Sequence, residues 1–361
     1  MKSLQRESNI ELLRIVAMFL IVLHHCAYHG FDCPPILDVI KFGGGVGVNV
    51  FVLISGYFMV RHASSLKKLI RLYLEVFFFC VCGYLYYIIF VNHGPVKGIV
   101  TNISYFMPIL SRQYWFVSAY FAILLCAPWI NLLIEHLNRA ALLKLLLVLF
   151  VFCTLFASLP FQGPGMGTFA QFVMLYLLGA YIRLYVNPAH ISCRWSFVLF
   201  CCVLLFQMGG VVGCDILHIS SLKALLLSKY GVVNMSLSVL LFLGFMRCRL
   251  PLCPTVNCCA TATFGVYLIH EHPLLRSLIW HDLLGLRNVP LNEACIIYAV
   301  LSSIGVYVAC TLIALMYKYS VEKAYIRWGE PKLLPCVESF LGWVNSQIET
   351  NAGEHSDKER L

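Results

Sequence analysis

Residues 11–25 read ELLRIVAMFLIVLHH, a long apolar run of the kind that crosses a membrane as a helix. The run nevertheless contains Arg14 and His25, two side chains that are costly to place in lipid. Their offset turns a helix by about 1100°, or roughly three turns plus 20°, so both side chains share one face about 16 Å apart. The sequence therefore predicts a membrane-spanning helix with a functional site along one side.

The composition assigns the whole chain to the membrane proteins. Of 361 residues, 60% are hydrophobic and only 12% are charged, and the mean hydropathy is +0.82, which excludes a soluble globular protein. We predict an all-α polytopic membrane protein in which residues 1–330 form one integral membrane domain. Residues 331–361 are predicted to form a cytoplasmic tail, with an interfacial segment that includes Phe340, Leu341 and Trp343 and then a disordered end. No small-residue cleavage site follows the first span, so we expect it to be retained.

Apolar runs alternate with polar breaks along the chain, which predicts a bundle of about ten transmembrane helices. The predicted spans are 11–29, 43–60, 69–92, 115–134, 141–159, 168–186, 195–213, 230–246, 258–280 and 295–317. The eighth is short, and Lys223 and Lys229 interrupt the approach to it, so this segment either crosses the membrane or re-enters on the same side. A re-entrant segment there would reverse the orientation of every later span.

Lys and Arg residues beside the spans predict the orientation, because short cytoplasmic loops retain positive charge. With the amino terminus inside, the cytoplasmic side holds fifteen such residues and the outer side holds seven. We therefore expect both termini in the cytoplasm. The same basic edges account for the net charge of +9 through contact with membrane lipids, without a nucleic-acid partner.

The spacing of cysteine and histidine predicts no metal centre. Most of the 17 cysteines lie inside apolar runs, where they are expected to be small buried hydrophobic side chains, and no C-x-x-C pair occurs. His270 and His272 are two residues apart and cannot share a helical face, so we expect no metal site built on them.

Basic residues near the predicted start of the third span form a candidate anion site. In the stretch SSLKKLIRLYLEV, Lys68 and Arg71 lie one helical turn apart, and Arg14 points toward the same membrane face. Three such cations can hold phosphate groups, Arg through a planar fork and Lys as a point charge. The alternative is that Lys68 and Arg71 only set the orientation of the span.

His25 is a candidate general base, because a neutral imidazole can take a proton from an alcohol. The alternative is a histidine packed against a neighbouring helix and satisfied by a hydroxyl or a carbonyl. Its neighbour His24 points about 100° away around the helix and is expected to be structural.

Two further stretches place polar residues where they could line the same pocket. The second span, GGGVGVNVFVLISGYFMV, carries Asn49, Ser55 and Tyr57 among glycines that are expected to serve tight helix packing. In ATATFGVYLIHEHPLL, Tyr267 and His270 lie before Pro273 and are expected to form a second polar wall of the pocket. Trp115, at the start of the fourth span, is a further candidate for orienting the base or a ligand.

Six stretches of the chain, in their order along it, resemble the acyltransferase-3 family of integral membrane acyltransferases, which includes bacterial O-acetyltransferases of surface glycans. The matching pieces are IELLRIVAMFLIVLHH, NVFVLISGYFM, LKKLIRLYL, YWFVSAYFAILLCAPWI, FVMLYLLGAYI and FGVYLIH. The first is the most specific, because it has Arg14 and His25 at the arginine-to-histidine spacing of the family. The pieces run from Ile10 to His270, and we take the resemblance to extend over roughly residues 8 to 330.

The resemblance implies an acyl-CoA donor, most often acetyl-CoA, used from the cytoplasm, and a carbohydrate acceptor. It implies that His25 is the catalytic histidine, that Arg14 is its partner, and that Lys68 with Arg71 is the basic pair after the second span. The family usually has two arginines there, and lysine at position 68 keeps the charge but loses bidentate binding. The resemblance also implies a bacterial inner membrane protein, and no permanently bound cofactor is expected.

From these features we hypothesise an acyltransferase that moves an acetyl or other short acyl group from acyl-CoA to a hydroxyl of a surface glycan or lipid-linked sugar. The acceptor lies either outside the membrane or on its cytoplasmic side; the orientation and the depth of His25 favour the outside. Two other classes fit the residues: a transporter of glycan precursors or protons with His25 and Arg14 as a relay, and a non-catalytic subunit of a polysaccharide assembly complex.

Overall fold

The computed structural model describes residues 7–32, 35–61, 65–159, 167–290, 292, 294–339 and 342. Within these ranges the chain is helical, with no β-strand, which confirms the predicted all-α membrane fold. The helices are α1 (Ser8–His29), α2 (Phe42–Met59), α3 (Leu66–Tyr86), α4 (Ile99–Ser104), α5 (Trp115–His136), α6 (Arg139–Phe150), α7 (Gly167–Tyr185), α8 (Cys193–Ile216), α9 (Ser220–Leu227), α10 (Val232–Arg247), α11 (Pro254–Thr261), α12 (Thr263–His270), α13 (Leu275–Ser277) and α14 (Ala294–Tyr317).

Short 3₁₀ and π-helical turns extend or connect several of these helices. They lie at Pro35–Ile40, Tyr87–Val91, Val151–Leu155, Phe156–Ser158, Pro188–His190, Leu278–Leu283, Leu286–Asn288, Lys318–Glu322 and Tyr325–Gly329. The turns after α14 lead into a further helical stretch at 330–339, so the helix continues well beyond the predicted end of the last span at residue 317. The predicted interfacial segment at Phe340, Leu341 and Trp343 and the end of the tail lie outside the described residues.

In the described part of the chain, nine helical segments are long and apolar enough to cross a membrane, one fewer than predicted. The difference is the predicted span 258–280, which is not one continuous helix. It is divided into α11 and α12 at Ala262, and α12 ends at His270. Pro273 explains this end, because a proline disfavours helical conformation at the residue before it and cannot donate to the preceding turn.

The predicted eighth span, 230–246, corresponds to α10 and is preceded by the shorter helix α9. Residues 228–231 form a break between the two helices, at the position where the sequence places Lys229. Taken together, Ser220–Arg247 is long enough to cross a membrane. The orientation of the termini stays a prediction.

Helix α2 lies at the centre of the bundle and packs against α1, α7 and α10. The contact with α7 is close because glycine occurs on both sides of it. A Cβ atom on Gly56 would overlap the backbone of Tyr176, and one on Gly179 would overlap the backbone of Leu53. As predicted, glycine here serves tight helix packing.

Helix α1 packs against α2, α11, α12 and α14, which brings its polar side chains into the interior of the bundle. Glu11 and His25 on α1 are both buried. The arrangement places the first span, which carries both predicted catalytic residues, between the elements that supply the rest of the site.

Candidate active site

His25 lies in the wall of a cavity of about 480 Å³, which we call the histidine cavity. α1, α2, α5, α7 and the break between α9 and α10 contribute to its lining, together with Tyr267 and Glu271 at the end of α12. Four further aromatic side chains, Tyr28, Trp115, Phe172 and Tyr230, also line it. This volume lies within the range of roughly 300–1,000 Å³ that is typical of small-molecule sites.

The imidazole of His25 is hydrogen-bonded to a second buried imidazole. Its Nδ1 lies 2.9 Å from Nε2 of His270, which is 245 residues away in the chain. The other ring nitrogen of His270, Nδ1, lies 2.6 Å from the carbonyl oxygen of Val266, one turn earlier in α12. Helix α12 thus fixes the orientation of the His270 ring, and the His270 ring in turn fixes the orientation of the His25 ring.

This chain of contacts determines where the protons lie. A carbonyl oxygen can only accept, so Nδ1 of His270 donates to Val266 and Nε2 of a neutral His270 carries the lone pair. Nδ1 of His25 must then donate to that lone pair, which leaves Nε2 of His25 unprotonated. The arrangement presents a free imidazole lone pair, which is what a general base requires.

Glu271, the residue after α12, supplies a carboxylate beside this pair. Its Oε2 lies 3.4 Å from Nδ1 of His25, and its Oε1 lies 3.5 Å from Nε2 of His29 and 3.2 Å from a guanidinium nitrogen of Arg276. Among the described residues Oε2 has no hydrogen-bond donor although it is buried. A negative charge in this position stabilises His25 once it has accepted a proton.

Arg14 lies in the wall of a different cavity of about 280 Å³, which we call the arginine cavity. Glu11 and Lys318 also line it, together with Glu75, whose carboxylate lies 3.3 Å from Nζ of Lys318. Nε of Arg14 is buried and has no hydrogen-bond acceptor among the described residues. Two acidic and two basic groups thus meet inside the bundle, and one of the cations, Lys318, was not anticipated from the sequence.

The predicted basic pair does not line the arginine cavity. Nε and a terminal nitrogen of Arg71 each lie 2.6 Å from Oε2 of Glu330, at the start of the helical stretch 330–339. Lys67 lies 3.8 Å from the other oxygen of Glu330. Lys68 is exposed. The structure therefore brings Arg71 to the carboxyl-terminal extension rather than to Arg14.

The two cavities lie along one stripe of α1. Glu11, Arg14 and Met18 line the arginine cavity, and Ile21 and His25 line the histidine cavity, with spacings of three or four residues that keep them on one helical face. The predicted common face of Arg14 and His25 is therefore present.

A wall of aromatic rings separates the cavities. Phe116 of α5 lines the arginine cavity, and its ring centroid lies 5.5 Å from that of Tyr267 and 5.9 Å from that of Phe172. Tyr267 and Phe172 both line the histidine cavity. The hydroxyl of Tyr267 is buried, and no partner for it lies among the described residues.

The other predicted pocket residues are distributed among three places. Asn49 and Trp115 line the histidine cavity, where the Asn49 amide also donates to Ser238 over 3.2 Å. Ser55 donates to a carbonyl of its own helix and receives a hydrogen bond of 2.8 Å from Tyr120, a lining residue of the arginine cavity. Tyr57 lines neither cavity. Its hydroxyl accepts a hydrogen bond of 2.8 Å from Arg183.

Three potential metal ligands meet at the histidine pair. One ligand atom each from His25, His270 and Glu271 lies within 4.8 Å of the others, a set that the sequence spacing did not anticipate. The 2.9 Å contact between the two imidazoles is accounted for by one shared hydrogen. His272 points elsewhere and contacts the carbonyl oxygen of Cys80 at 3.0 Å.

A helical membrane bundle with a buried histidine pair in a polar cavity defines an integral membrane protein with a reactive site inside the bundle. The model of the acyltransferase domain of the acyltransferase-3 family matches residues 7–315, so the chain belongs to that family and is a membrane acyltransferase. Comparison with curated proteins and with solved structures found no match.

Proposed function

We propose that this membrane acyltransferase moves an acetyl or other short acyl group from a coenzyme A thioester to a hydroxyl of a glycan or lipid-linked sugar. The observation that carries the proposal is the hydrogen-bonded chain from Val266 through His270 to His25, which leaves Nε2 of His25 unprotonated in the wall of the histidine cavity. General-base help of this kind is typically worth about 10²–10⁴ in rate.

In the proposed reaction, Nε2 of His25 accepts the proton of the acceptor hydroxyl while the oxygen of that hydroxyl attacks the carbonyl carbon of the thioester. The tetrahedral intermediate then collapses with cleavage of the carbon–sulfur bond. The departing CoA sulfur takes the proton from His25, which restores the neutral imidazole. Glu271 stabilises the transient imidazolium, because its Oε2 lies 3.4 Å from Nδ1 of His25.

The donor is proposed to enter on the side of the arginine cavity. A cavity of about 280 Å³ suits the narrow acyl-bearing arm of coenzyme A, and Arg14 and Lys318, two of the four charged side chains that line it, would bind the phosphates. Arg71 is an additional phosphate ligand in this proposal, and there a phosphate would replace the carboxylate of Glu330. Lys68, being exposed, would add positive charge rather than a defined contact.

The acceptor is proposed to occupy the histidine cavity. The rings of Tyr28, Trp115 and Tyr230 offer apolar faces on which a sugar ring can stack, and Asn49 offers an amide for its hydroxyls. An acceptor on this side and a donor on the other would meet at the aromatic wall. The protein is proposed to reside in the inner membrane of a bacterium, with acyl-CoA on the cytoplasmic side.

The experiment that tests the proposal measures release of the free CoA thiol from acetyl-CoA by the purified full-length protein, with a crude surface-glycan fraction as acceptor. We compare the wild type with His25→Gln, which keeps a polar side chain of similar size but removes the base. His136→Gln is the matched control, because His136 is exposed on α5 and contacts a carbonyl of its own helix.

Acceptor-dependent release that falls by at least about 10²-fold in His25→Gln, and not in the control, would support the transferase with His25 as base. Equal release in His25→Gln would exclude His25 from the mechanism. No release with any short acyl-CoA would favour a transporter, which moves its substrate without consuming acyl-CoA.

A further inference from the structure

Among the described residues, the charged side chains that line the histidine cavity are paired except at one lysine. Nζ of Lys41 lies 2.5 Å from Asp38, and Arg276 lies 3.2 Å from Glu271. Lys229 also lines the cavity, but no carboxylate among the described residues lies within ion-pair distance of it. Its ammonium group lies over aromatic rings instead, 4.0 Å from the centroid of Trp115 and 4.9 Å from that of Tyr230.

The backbone around Lys229 is held in place by buried amides. Lys229 lies in the break between α9 and α10, where an unwound backbone needs side-chain partners. The Nδ2 atom of Asn234 donates to the carbonyl oxygen of Ser228 over 2.8 Å, and Asn49 makes a long contact of 3.5 Å with that of Lys229. Gly45 of α2 lets the segment approach closely, because a Cβ there would lie 3.1 Å from Cα of Lys229.

These contacts direct a cation into the cavity that contains the proposed base. Lys229 lies on the break itself, at a point where three contacts fix the chain. Since Lys229 lines the same cavity as His25, a group bound to its ammonium would occupy the cavity in which the proposed reaction takes place.

We propose that Lys229 recognises a negative charge on the acceptor, so that the acylated sugar carries a carboxylate or a phosphate next to its ring. This inference rests on the proposed transferase function and specifies its acceptor class. The sugar ring stacks on the aromatic side chains of Trp115 and Tyr230, in place of the Lys229 ammonium. The ammonium then makes a charge-assisted hydrogen bond to the anionic group of the sugar.

The experiment compares acceptors that share one ring and differ in charge. The probes are methyl glucoside, methyl glucuronoside, the methyl ester of methyl glucuronoside, and methyl glucoside 6-phosphate, each measured by CoA thiol release from acetyl-CoA and by the thermal shift of the purified protein. The variants are Lys229→Gln, the charge-conserving Lys229→Arg, and Lys97→Gln as a control, which removes the same charge from an exposed position outside the cavity.

We expect KM for the sugar that carries a carboxylate or a phosphate to be at least about tenfold lower than KM for the neutral sugars. Lys229→Gln should raise KM for the charged rings until this difference disappears, whereas Lys229→Arg and Lys97→Gln should keep it. The carboxylate and phosphate probes separate the two sources of negative charge. A lower melting temperature of Lys229→Gln with the preference intact would assign Lys229 a structural role and overturn the inference.

Equal use of charged and neutral rings by the wild type would also overturn the inference while the transferase function stands. If none of the probe sugars supports His25-dependent release of CoA thiol, the transferase proposal fails for these acceptors. The thermal shift then decides the charge inference separately: stabilisation by the charged rings that Lys229→Gln abolishes supports it, and equal shifts for all rings contradict it.

Discussion

His270 controls which nitrogen of His25 is available, although it does not line the histidine cavity itself. Without Nε2 of His270 as an acceptor, Nδ1 of His25 would face only the carboxylate of Glu271, whose Oε2 lies 3.4 Å away, and the imidazole could turn or change tautomer. We therefore regard His270 as a positioning residue and His25 as the catalytic one in the proposed reaction.

Replacing His270 by Phe should lower kcat by about 10- to 100-fold, a part of the roughly 10²–10⁴ attributed to a general base, with KM for acetyl-CoA unchanged. His270→Gln should recover part of the loss, because an amide oxygen can accept from His25 while the amide nitrogen donates to Val266. Steady-state kinetics that separate kcat from KM make the measurement.

The control for His270 is His272→Gln, which alters another buried histidine two residues away. His272 contacts the carbonyl of Cys80 and makes no hydrogen bond to His25. A loss in His272→Gln as large as in His270→Phe, with both proteins folded, would show that the effect is a general one of disturbing the end of α12.

The sequence pointed to individual polar residues of the candidate site more readily than to their partners. Arg14 and His25 are recognisable because they are costly inside an apolar helix, and that argument needs no knowledge of the fold. The bond between His25 and His270 joins residues 245 positions apart, and no local spacing indicates it. Lys229 looked like an interruption of a span, and only the packing of its segment on α2 places it in the cavity.

Among the helix contacts, that between α2 and α7 depends on glycine at the point of closest approach. Gly179 faces the backbone of Leu53 and Tyr57, which cannot move aside as a flexible side chain can. Gly305 of α14 offers a comparison, because no neighbouring atom of the described residues lies within 4 Å of the Cβ position there.

Gly179→Ala should destabilise the protein by about 1–3 kcal/mol, since the added methyl group must push two helices apart. Gly305→Ala should be neutral or stabilising by up to about 1 kcal/mol, because alanine loses less backbone entropy in a helix. Thermal unfolding of the two variants in detergent, followed by circular dichroism, compares them directly. Equal melting temperatures would contradict the close contact of α2 with α7.

The sequence predicted most of the long helices, because a continuous apolar run of about 20 residues has few other solutions in a membrane. The prediction of one continuous helix at residues 258–280 was wrong, because the helix is interrupted at Ala262 and α12 ends at His270. Apolarity alone does not distinguish one helix from two short ones, and the cost of the break is met by tertiary contacts, such as the hydrogen bond from Tyr114 to the carbonyl of Leu268.

In the part of the bundle that the structure describes, aromatic rings lie between the histidine cavity and the arginine cavity. The stripe on α1 from Glu11 to His25 runs past both, so the predicted common face is correct, whereas the division into two chambers is set by side chains from α5, α7 and α12. In the proposed reaction the thioester and the acceptor must meet across this wall, and Phe116 lies at its centre.

Opening the wall should let water reach the donor. Phe116→Ala would join the two cavities, and we expect the ratio of acceptor-independent thiol release to acyl transfer to rise by about tenfold, equivalent to roughly 1.4 kcal/mol in relative barrier height. Removing a buried Phe typically costs about 3–5 kcal/mol of stability, so Phe116→Leu serves as a milder variant with the same expected direction. Phe90→Ala is the control, because Phe90 is exposed and contacts neither cavity. An unchanged ratio in a folded Phe116 variant would mean that donor and acceptor meet by a route that does not pass this ring.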